Sequence, residues 1–305
     1  MEKTAKTFFT RKRKTIIFLT VMLSVPVINW LVFWLFVNLN SILMAFRNPA
    51  TEKFTFDNFT VFWRAITSAG VDLNISIRNT VTYFLFGVIV LLPLNVLAAF
   101  FLYKRILFHK WFRLAFLLPV IVSSVAITTV YKEALKPWGI VGWLVSDVFG
   151  ASYPQSGLLG QASTATWMIV IFGLWTGFTT NVLIFSGAMT RIPHEVLESA
   201  KIDGCEPLRE AVTIILPLIM PTVATVYVLA ISGIFMASGP LLVLVNNAND
   251  TTTIAYWIYN TVFQSSGNIG GLNIVAAGGI CMTAVAVPLS LLFRRFAGKF
   301  EAAEY

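Results

Sequence analysis

Charged residues are scarce in this chain. Asp, Glu, Lys and Arg make up 12% of its 305 residues, whereas soluble domains carry about 25%. Hydrophobic residues reach 57%, and the mean hydropathy is +0.79. Most of the chain must therefore face lipid or other membrane helices, which excludes an ordinary soluble enzyme or binding domain.

The apolar runs lack the two-residue alternation of a membrane β-barrel, and backbone groups cannot stay unpaired in lipid, so we expect helices. Each of six runs supplies the ~20 apolar residues that cross a ~30 Å hydrocarbon core. They cover residues 15–46, 79–103, 111–131, 163–186, 212–237 and 272–294. The first run is too long for a signal-peptide core and ends in no small-residue cleavage site, which predicts a retained span. The predicted fold class is an all-α membrane protein with six transmembrane helices.

Residues that bind metals or perform catalysis are also few. Cys205 and Cys281 are far apart in the predicted topology and should both be reduced, so we expect no disulfide. His109 and His194 lie in separate loops without a second ligand at metal spacing, which predicts no metal site. The spans contain no acid, base or nucleophile pair, so we expect no catalytic residues. The phosphate-binding pattern Gly-x-x-x-x-Gly-Lys-Ser/Thr is missing, and the chain should not bind nucleotide.

Lys and Arg are unevenly distributed along the chain. With the N-terminus in the cytoplasm, 16 of the 22 basic residues fall in inner segments, which predicts an N-in, C-in orientation. The net charge of +8 then reflects topology, and no nucleic-acid partner is needed to explain it. We predict a basic cytoplasmic N-terminus at 1–14, a six-helix transmembrane domain at 15–295 and a cytoplasmic tail at 296–305.

Ionisable residues are nearly absent at mid-depth in the spans. Ion-driven carriers, channels with charged rings and redox membrane enzymes usually keep such residues there. The chain also shows no internal repeat of the kind found in many secondary transporters. Energy should therefore enter from outside the bilayer, and the predicted cytoplasmic loop 187–211 is a polar insert between two apolar runs.

The insert carries the signals of a short helix. Pro193 suits the first helical position, and Glu195 and Glu198, three residues apart, share one face. Gly204 is typical of a helix stop. The apolar positions form one stripe: Val196, Leu197 and Ala200. From these residues two interpretations remain open, a helix that docks into a groove on a partner and a surface helix that packs on its own bundle.

The spacing of the insert resembles the EAA loop of binding-protein-dependent ABC importer permeases. The matching residues are Glu198-x-Ala200-x-x-x-Gly204 and, after nine intervening residues, Ile214-x-Leu216-Pro217. Ser199 replaces the second-position Ala, and because Ser is small, close packing should survive. Residues 192–198 and 202–204 are typical of the carbohydrate-uptake branch, and the resemblance covers nearly the whole chain.

This resemblance implies a type I importer permease fold in which the insert is a cytoplasmic coupling helix seated in a cleft of an ATPase subunit. The residues implied for coupling are Glu195, Glu198, Ser199, Ala200, Asp203, Gly204, Leu216 and Pro217. Glu198 would pair with a basic residue of the ATPase, and Gly204 would allow the tight turn after the helix. The chain would bind no cofactor and would not be an enzyme, since the partner ATPase binds ATP-Mg.

The implied assembly lies in a bacterial cell membrane. Its other members are a second permease subunit, expected to be a paralogue, two copies of a nucleotide-binding ATPase and an extracellular solute-binding protein, with membrane lipid around them. The implied function is to form, with the second permease, the pathway for a sugar or oligosaccharide. The alternatives are the same machinery for a non-sugar solute such as glycerol phosphate, or a membrane enzyme, docking or sensor protein.

One stretch of the fourth run points to solute contact. Trp175-x-Gly177-x-x-Thr180 resembles the segment that contacts sugar in the larger permease subunit of maltose importers, where an aromatic stands at the position of Thr180. Trp175 could stack on a sugar face, and Gly177 could let a ligand approach the backbone. The other candidates for the pathway are Asn181, Ser232, Phe235 and Ser238. The alternative for all of them is packing between membrane helices.

Overall fold

The computed structural model describes residues 2–67, 72–105, 108–236, 241–245, 250–264 and 269–301. These residues form helices, turns and one isolated antiparallel bridge, between Arg47 and Phe54, with no strand among them. The predicted all-α class is confirmed. Ser238, one of the pathway candidates, lies outside the described residues.

Five described helices are long and apolar enough to cross a membrane, and a bent pair of helices makes a sixth if the pair counts as one span. We number them spans 1 to 6 in chain order. They are Arg13–Ala45, Leu73–Tyr103, the pair His109–Ile121 and Ser124–Ala134, Ala162–Met189, Pro207–Ser232 and Gly270–Gly298. Each coincides with one of the six predicted apolar runs.

Span 3 differs from the predicted continuous helix over residues 111–131. Its two arms meet at an angle of 107°. Val122 ends the first arm with an extended backbone (ψ 143°), and Ser123 precedes the second arm with ψ 131°. Pro119 lies inside the first arm and removes one helical N–H donor just before the break. The apolar content of the run predicted a span, but it carried no signal for the angle.

The chain folds into two compact units, Met1–Phe62 with Ser265–Ile280, and Trp63–Gln264 with Cys281–Tyr305. In the first unit the chain forms the helices Glu2–Asn29 and Val37–Ala45, joined by the π-helical segment Trp30–Phe36, and the helices Asp57–Thr67 and Ile269–Glu301 have parts in it. The most apolar stretch of span 1 buries nothing against the chain itself. Its side chains therefore need lipid or another subunit to cover them.

Two buried asparagines hold the segment that follows span 1 in the first unit. Asn58 Nδ2 donates to the carbonyls of Ala45 and Arg47 at 2.9 and 3.0 Å, and Asn273 Nδ2 donates to the Arg47 carbonyl at 2.6 Å. Phe62 is 2% exposed and lies against Gly278, where an added Cβ would be 2.6 Å from Phe62 Cε2. A small residue is needed at Gly278 for this contact.

The second unit holds the rest of the helices, and spans 2, 4 and 5 form its main core. These spans bury Phe100, Phe185 and Ile219 together with Leu197 of the polar insert. The elements of this unit are Asp72–Leu85, Phe86–Leu91 (π), Leu92–Tyr103, His109–Ile121, Ser124–Ala134, Ile140–Trp143, Leu144–Val148 (π), Leu158–Gly160 (3-10), Ala162–Met189, His194–Ile202, Pro207–Glu210, Ala211–Ile215 (π), Leu216–Ser232, Ile234–Met236 (3-10), Leu241–Leu244 and Ile254–Gln264.

The start of span 2 is tied to a distant segment of the second unit. Asn79 Nδ2 donates to the carbonyls of Asp250 and Thr252 at 2.7 and 2.9 Å. The Ile254 N–H donates to Thr80 Oγ1 at 2.9 Å. Because the polar side chains of Asn79 and Thr80 are buried, they need such partners, and the pairing fixes residues 250–254 against span 2.

Candidate functional site

The polar insert contains the predicted helix, which spans His194–Ile202. Pro193 has ψ 136° and precedes the helix, whereas the sequence predicted it as the first helical residue. Since proline has no N–H to donate, it suits this boundary equally well. The existence of the helix was predicted correctly, and its start differs by one residue.

Gly204 ends the helix by a double hydrogen bond. It has φ +71°, a left-handed conformation that glycine adopts without the steric penalty of a Cβ. The Gly204 N–H donates to the Lys201 carbonyl at 3.1 Å, and the Cys205 N–H donates to the Ala200 carbonyl at 2.9 Å. This pair of bonds is the Schellman motif, and it satisfies carbonyls that the helix end would leave unpaired. The chain can then turn sharply toward span 5.

One face of the insert helix packs on the membrane core. Leu197 and Ala200 are 6% and 5% exposed, and Leu197 lies in the core cluster of spans 2, 4 and 5. Val196, the third residue of the predicted apolar stripe, is 38% exposed. It stands about 100° from Leu197 around the helix, on the flank of the buried face.

The opposite face points away from the core and carries Glu195, Glu198 and Ser199, all exposed. Ser199 Oγ donates to the Glu195 carbonyl at 2.9 Å, which satisfies its hydroxyl within the helix. In the part of the chain that the structure describes, neither Glu195 nor Glu198 forms an ion pair. Asp203, at the end of the helix, is exposed as well. These carboxylates are available to a basic partner surface.

Ile202 is a residue of this face that the sequence candidates omitted. It is 86% exposed, so nothing in the described part of the chain covers its apolar side chain. It lies four residues after Glu198 and seven after Glu195, so helical spacing puts it on the same face. This helical spacing is the sequence signal that could have placed Ile202 on the same face as the two glutamates. The exposed face therefore combines acidic groups with one apolar contact point.

A buried ion pair between Lys104 and Glu210 supports the second half of the insert. Neither residue was among the candidates from the sequence. Lys104 Nζ lies 2.5 Å from Glu210 Oε1, and the Glu210 side chain is 3% exposed while that of Lys104 is 23% exposed. Lys104 follows the last turn of span 2, and Glu210 lies in the first turn of span 5. Each is a charged residue at the edge of an apolar run, but nothing in the sequence pairs them.

Leu216 and Pro217, the last two residues of the coupling motif, lie inside span 5 at the start of Leu216–Ser232. Leu216 is half-buried and packs against the same core that holds Leu197, whereas Pro217 is exposed. The predicted coupling residues therefore fall into two groups. One group is exposed on the outer face of the insert helix, and the other includes Leu216, which packs in span 5 against the core that holds the inner face of that helix.

Among the pathway candidates of span 4, Trp175 lies on one face and the other three lie on the opposite face. Trp175 and Gly177 are about 200° apart around the helix. Trp175 is 40% exposed and its ring lies 6.4 Å from that of Tyr131 and 6.1 Å from that of Phe172. A Cβ at Gly177 would lie 2.6 Å from Leu91 Cδ2, so this glycine serves a close helix contact.

The remaining described candidates differ in exposure and in the contacts that they make. Thr180 is exposed and Asn181 half-buried on span 4, while Phe235 is half-buried after the end of span 5. Ser232 Oγ donates to the Val228 carbonyl at 2.8 Å and lies 3.2 Å from Ser290 Oγ of span 6. The Ser232 hydroxyl is therefore used between helices.

Asn95 is a polar residue of span 2 outside the predicted set. It is fully buried, and neither atom of its amide has a hydrogen-bond partner among the described residues. An unpaired buried amide is costly, which makes Asn95 a position where a partner or water is needed. The same described residues contain no group of three or more His, Cys, Asp or Glu side chains that could hold a metal, and Cys205 and Cys281 are free.

Comparison with known proteins agrees with this architecture. The chain is 23% identical over 289 residues to the multiple sugar-binding transport system permease protein MsmF of Streptococcus mutans, covering 92% of this chain and 94% of that protein. It is 24% identical over 281 residues to the arabinooligosaccharides transport system permease protein AraP of Bacillus subtilis, covering 90% of this chain and 87% of that protein.

A solved structure shows the same fold. A chain of a bacterial alginate ABC transporter, in complex with an alginate pentasaccharide-bound periplasmic protein, matches with a TM-score of 0.80 and 22% identity, over 94% of this chain and 96% of that chain. The predicted importer permease fold is thereby confirmed. The family model of the binding-protein-dependent transport system inner membrane component matches residues 81–302. The chain belongs to this family, as a multi-pass membrane subunit of an ABC importer whose ATPase is a separate chain.

Proposed function

We propose that this chain is one of two transmembrane subunits of an ATP-driven importer for a sugar or oligosaccharide. Relatives that match over most of their length are named for multiple sugars and for arabinooligosaccharides, which supports the carbohydrate class. A binding protein delivers the solute, in keeping with the binding-protein-dependent transport systems to which the family belongs. A second permease, expected to be a paralogue, completes the pathway, and two ATPase subunits bind ATP-Mg and supply the energy.

The observation that carries this proposal is the two-sided insert helix. Its outer face presents Glu195, Glu198 and Ile202, while Leu197 is buried in the core of spans 2, 4 and 5. A force applied to the outer face therefore reaches three spans through packed side chains, because close-packed interiors transmit strain. We assign the outer face to the ATPase cleft, with Glu198 paired to a basic residue there.

Replacing Glu198 with Ala tests the coupling role. Truncating one partner of a buried charged pair typically costs ~2–5 kcal/mol, so Glu198→Ala should abolish solute uptake or release the ATPase during purification. Glu206→Ala is the matched control, since Glu206 is an exposed carboxylate of the same insert outside the helix. Near-normal uptake by Glu198→Ala, or equal losses in both variants, would count against the role.

A solute panel tests the carbohydrate class. Cells that contain the complete importer, and cells that lack this chain, are supplied with labelled maltotriose, arabinotriose, an alginate oligosaccharide or glycerol 3-phosphate. The proposal expects uptake of at least one saccharide that depends on this chain. Uptake of glycerol 3-phosphate alone would contradict it while leaving the coupling role intact.

Within the pathway we assign solute contact to Trp175. Its ring is partly exposed and is held by Tyr131 and Phe172, so it offers a pre-oriented apolar face. Trp175→Ala should raise the KM for uptake at least several-fold. Trp167→Ala is the control, because Trp167 lies on the same span, is 48% exposed and contacts Phe86. An unchanged KM in Trp175→Ala would assign the ring to helix packing.

A further inference from the structure

A cavity of about 740 Å³ opens beside the insert helix, and its lining is basic. Its walls come from the end of span 2, the first arm of span 3, the end of span 4 and the insert helix. The cations that line it are Lys104, Arg105, Lys110, Arg113 and Lys201, and no Asp or Glu is among its lining residues. Pockets for small ligands are typically about 300–1,000 Å³, so the volume suits a bound molecule.

Most of this positive charge is uncompensated. Lys104 is paired with Glu210. Across the described ranges, Arg105, Lys110, Arg113 and Lys201 form no ion pair, and all four are exposed. Four like charges around one cavity raise its potential, and the potential attracts anions. The helix His109–Ile121 also begins at this cavity, which adds the positive end of its dipole.

The general excess of Lys and Arg on the cytoplasmic side does not account for this arrangement. That excess places cations near the membrane surface, but it does not require them to line one concave site. Arg294 and Arg295, exposed at the cytoplasmic end of span 6, show the difference, since they are not part of the cavity lining. Here four cations from residues 104–113 line the same cavity as Lys201 of the insert helix, which follows roughly 90 residues later in sequence.

We propose that this basic cavity binds a phosphate-bearing anion, which is either the headgroup of an anionic phospholipid in the cytoplasmic leaflet or a free phosphate. His194, Leu197 and Lys201 of the insert helix form one wall of the cavity. A bound anion therefore bridges the insert helix to spans 2 and 3 and limits its movement. Only this effect on movement rests on the proposed coupling function, and the binding itself does not.

The lipid arm of the test uses the full chain, purified in detergent with the subunits that co-purify. The protein is equilibrated in micelles that contain equal amounts of phosphatidylglycerol and phosphatidylcholine, and the retained lipids are counted by native mass spectrometry. The variant is Lys110→Gln/Arg113→Gln. Arg294→Gln/Arg295→Gln is the matched control, because it removes the same charge from the cytoplasmic end of another span.

The phosphate arm uses the same preparations in phosphatidylcholine micelles. Inorganic phosphate is titrated calorimetrically, with sodium chloride at matched ionic strength as the reference. A second variant, Arg105→Gln/Lys201→Gln, removes cations from other walls of the cavity and replaces the first variant if that one does not fold. Thermal unfolding of each variant establishes that it is folded.

The proposal expects saturable binding in at least one arm, weakened about tenfold or more by the cavity variants and unchanged by the control. Selective retention of phosphatidylglycerol identifies the lipid as the source, and phosphate binding above the chloride reference identifies a free phosphate. Absence of binding in both arms, or equal losses in the cavity and control variants, overturns the proposal. Release of the ATPase by the cavity variants with anion binding unchanged also overturns it, since the cavity would then dock that subunit.

Discussion

Lys104 Nζ and Glu210 Oε1, 2.5 Å apart, join the end of span 2 to the first turn of span 5. Their residues are 106 positions apart in sequence. Since Glu210 is almost fully buried, its carboxylate depends on this partner, and the ion pair holds the second half of the insert against the core.

Lys104→Met should destabilise the protein by about 3 kcal/mol, at the lower end of the range for breaking a buried pair, because the Lys104 side chain is 23% exposed. The double variant Lys104→Met/Glu210→Leu should recover most of this loss, since it leaves no buried charge unpaired. The free energy of unfolding in detergent measures both effects. If the double variant loses as much of this free energy as the two single variants together, or more, the two residues are not coupled.

Gly204→Ala should weaken the end of the insert helix through the backbone alone. A residue with a Cβ in the left-handed region costs about 1–2 kcal/mol, and nothing lies within 4 Å of a Cβ built at Gly204. Gly204→Asn should be milder, because Asn visits that region more readily. Thermal unfolding and solute uptake measure the effect. Gly187→Ala is the control, because Gly187 lies inside span 4 with equally open space, and the substitution there should be neutral or stabilising. Equal effects at both sites would contradict the prediction.

Ile202→Ser should reduce retention of the ATPase without lowering the unfolding temperature. Ile202 is 86% exposed in the isolated chain, so its loss removes contact area only where a partner covers it. Pull-down of the ATPase from solubilised membranes gives the readout. Leu208→Ser serves as the comparison, because Leu208 is 63% exposed in the same insert but lies outside the helix. Retention that falls equally in both variants would argue against a specific contact.

Asn79→Asp should release the segment that follows Asp250 from span 2. The amide of Asn79 donates to two backbone carbonyls, and a carboxylate in its place offers no donor and repels both oxygens. Each carbonyl left unsatisfied costs about 1–3 kcal/mol. A Cys introduced at Thr252, which is 5% exposed, should then react faster with an impermeant maleimide. Asn74→Asp provides the control, as the hydrogen bond from Asn74 to the Ile66 carbonyl is exposed. An unchanged labelling rate in Asn79→Asp would refute the prediction.

Features that depend on nearby residues could be predicted from the sequence. Six apolar runs predicted the spans, because a bilayer demands about 20 apolar residues in each. Gly204 and the charges on the insert predicted a short helix with a glycine stop, and both are present. The exposure of Val196 could not be predicted in the same way, because it lies at the edge of the apolar stripe and burial there depends on what packs against it.

The sequence by itself determined the all-α membrane class, the positions of the spans and the insert helix, since hydrophobicity and capping act over a few residues. Only the tertiary structure decided the 107° bend of span 3, the pairing of Lys104 with Glu210 and the convergence of basic residues on one cavity. The ion pair and the cavity arise where segments distant in sequence meet. A charge at the edge of an apolar run predicts proximity to the membrane surface, but its partner is selected by the packing of the helices.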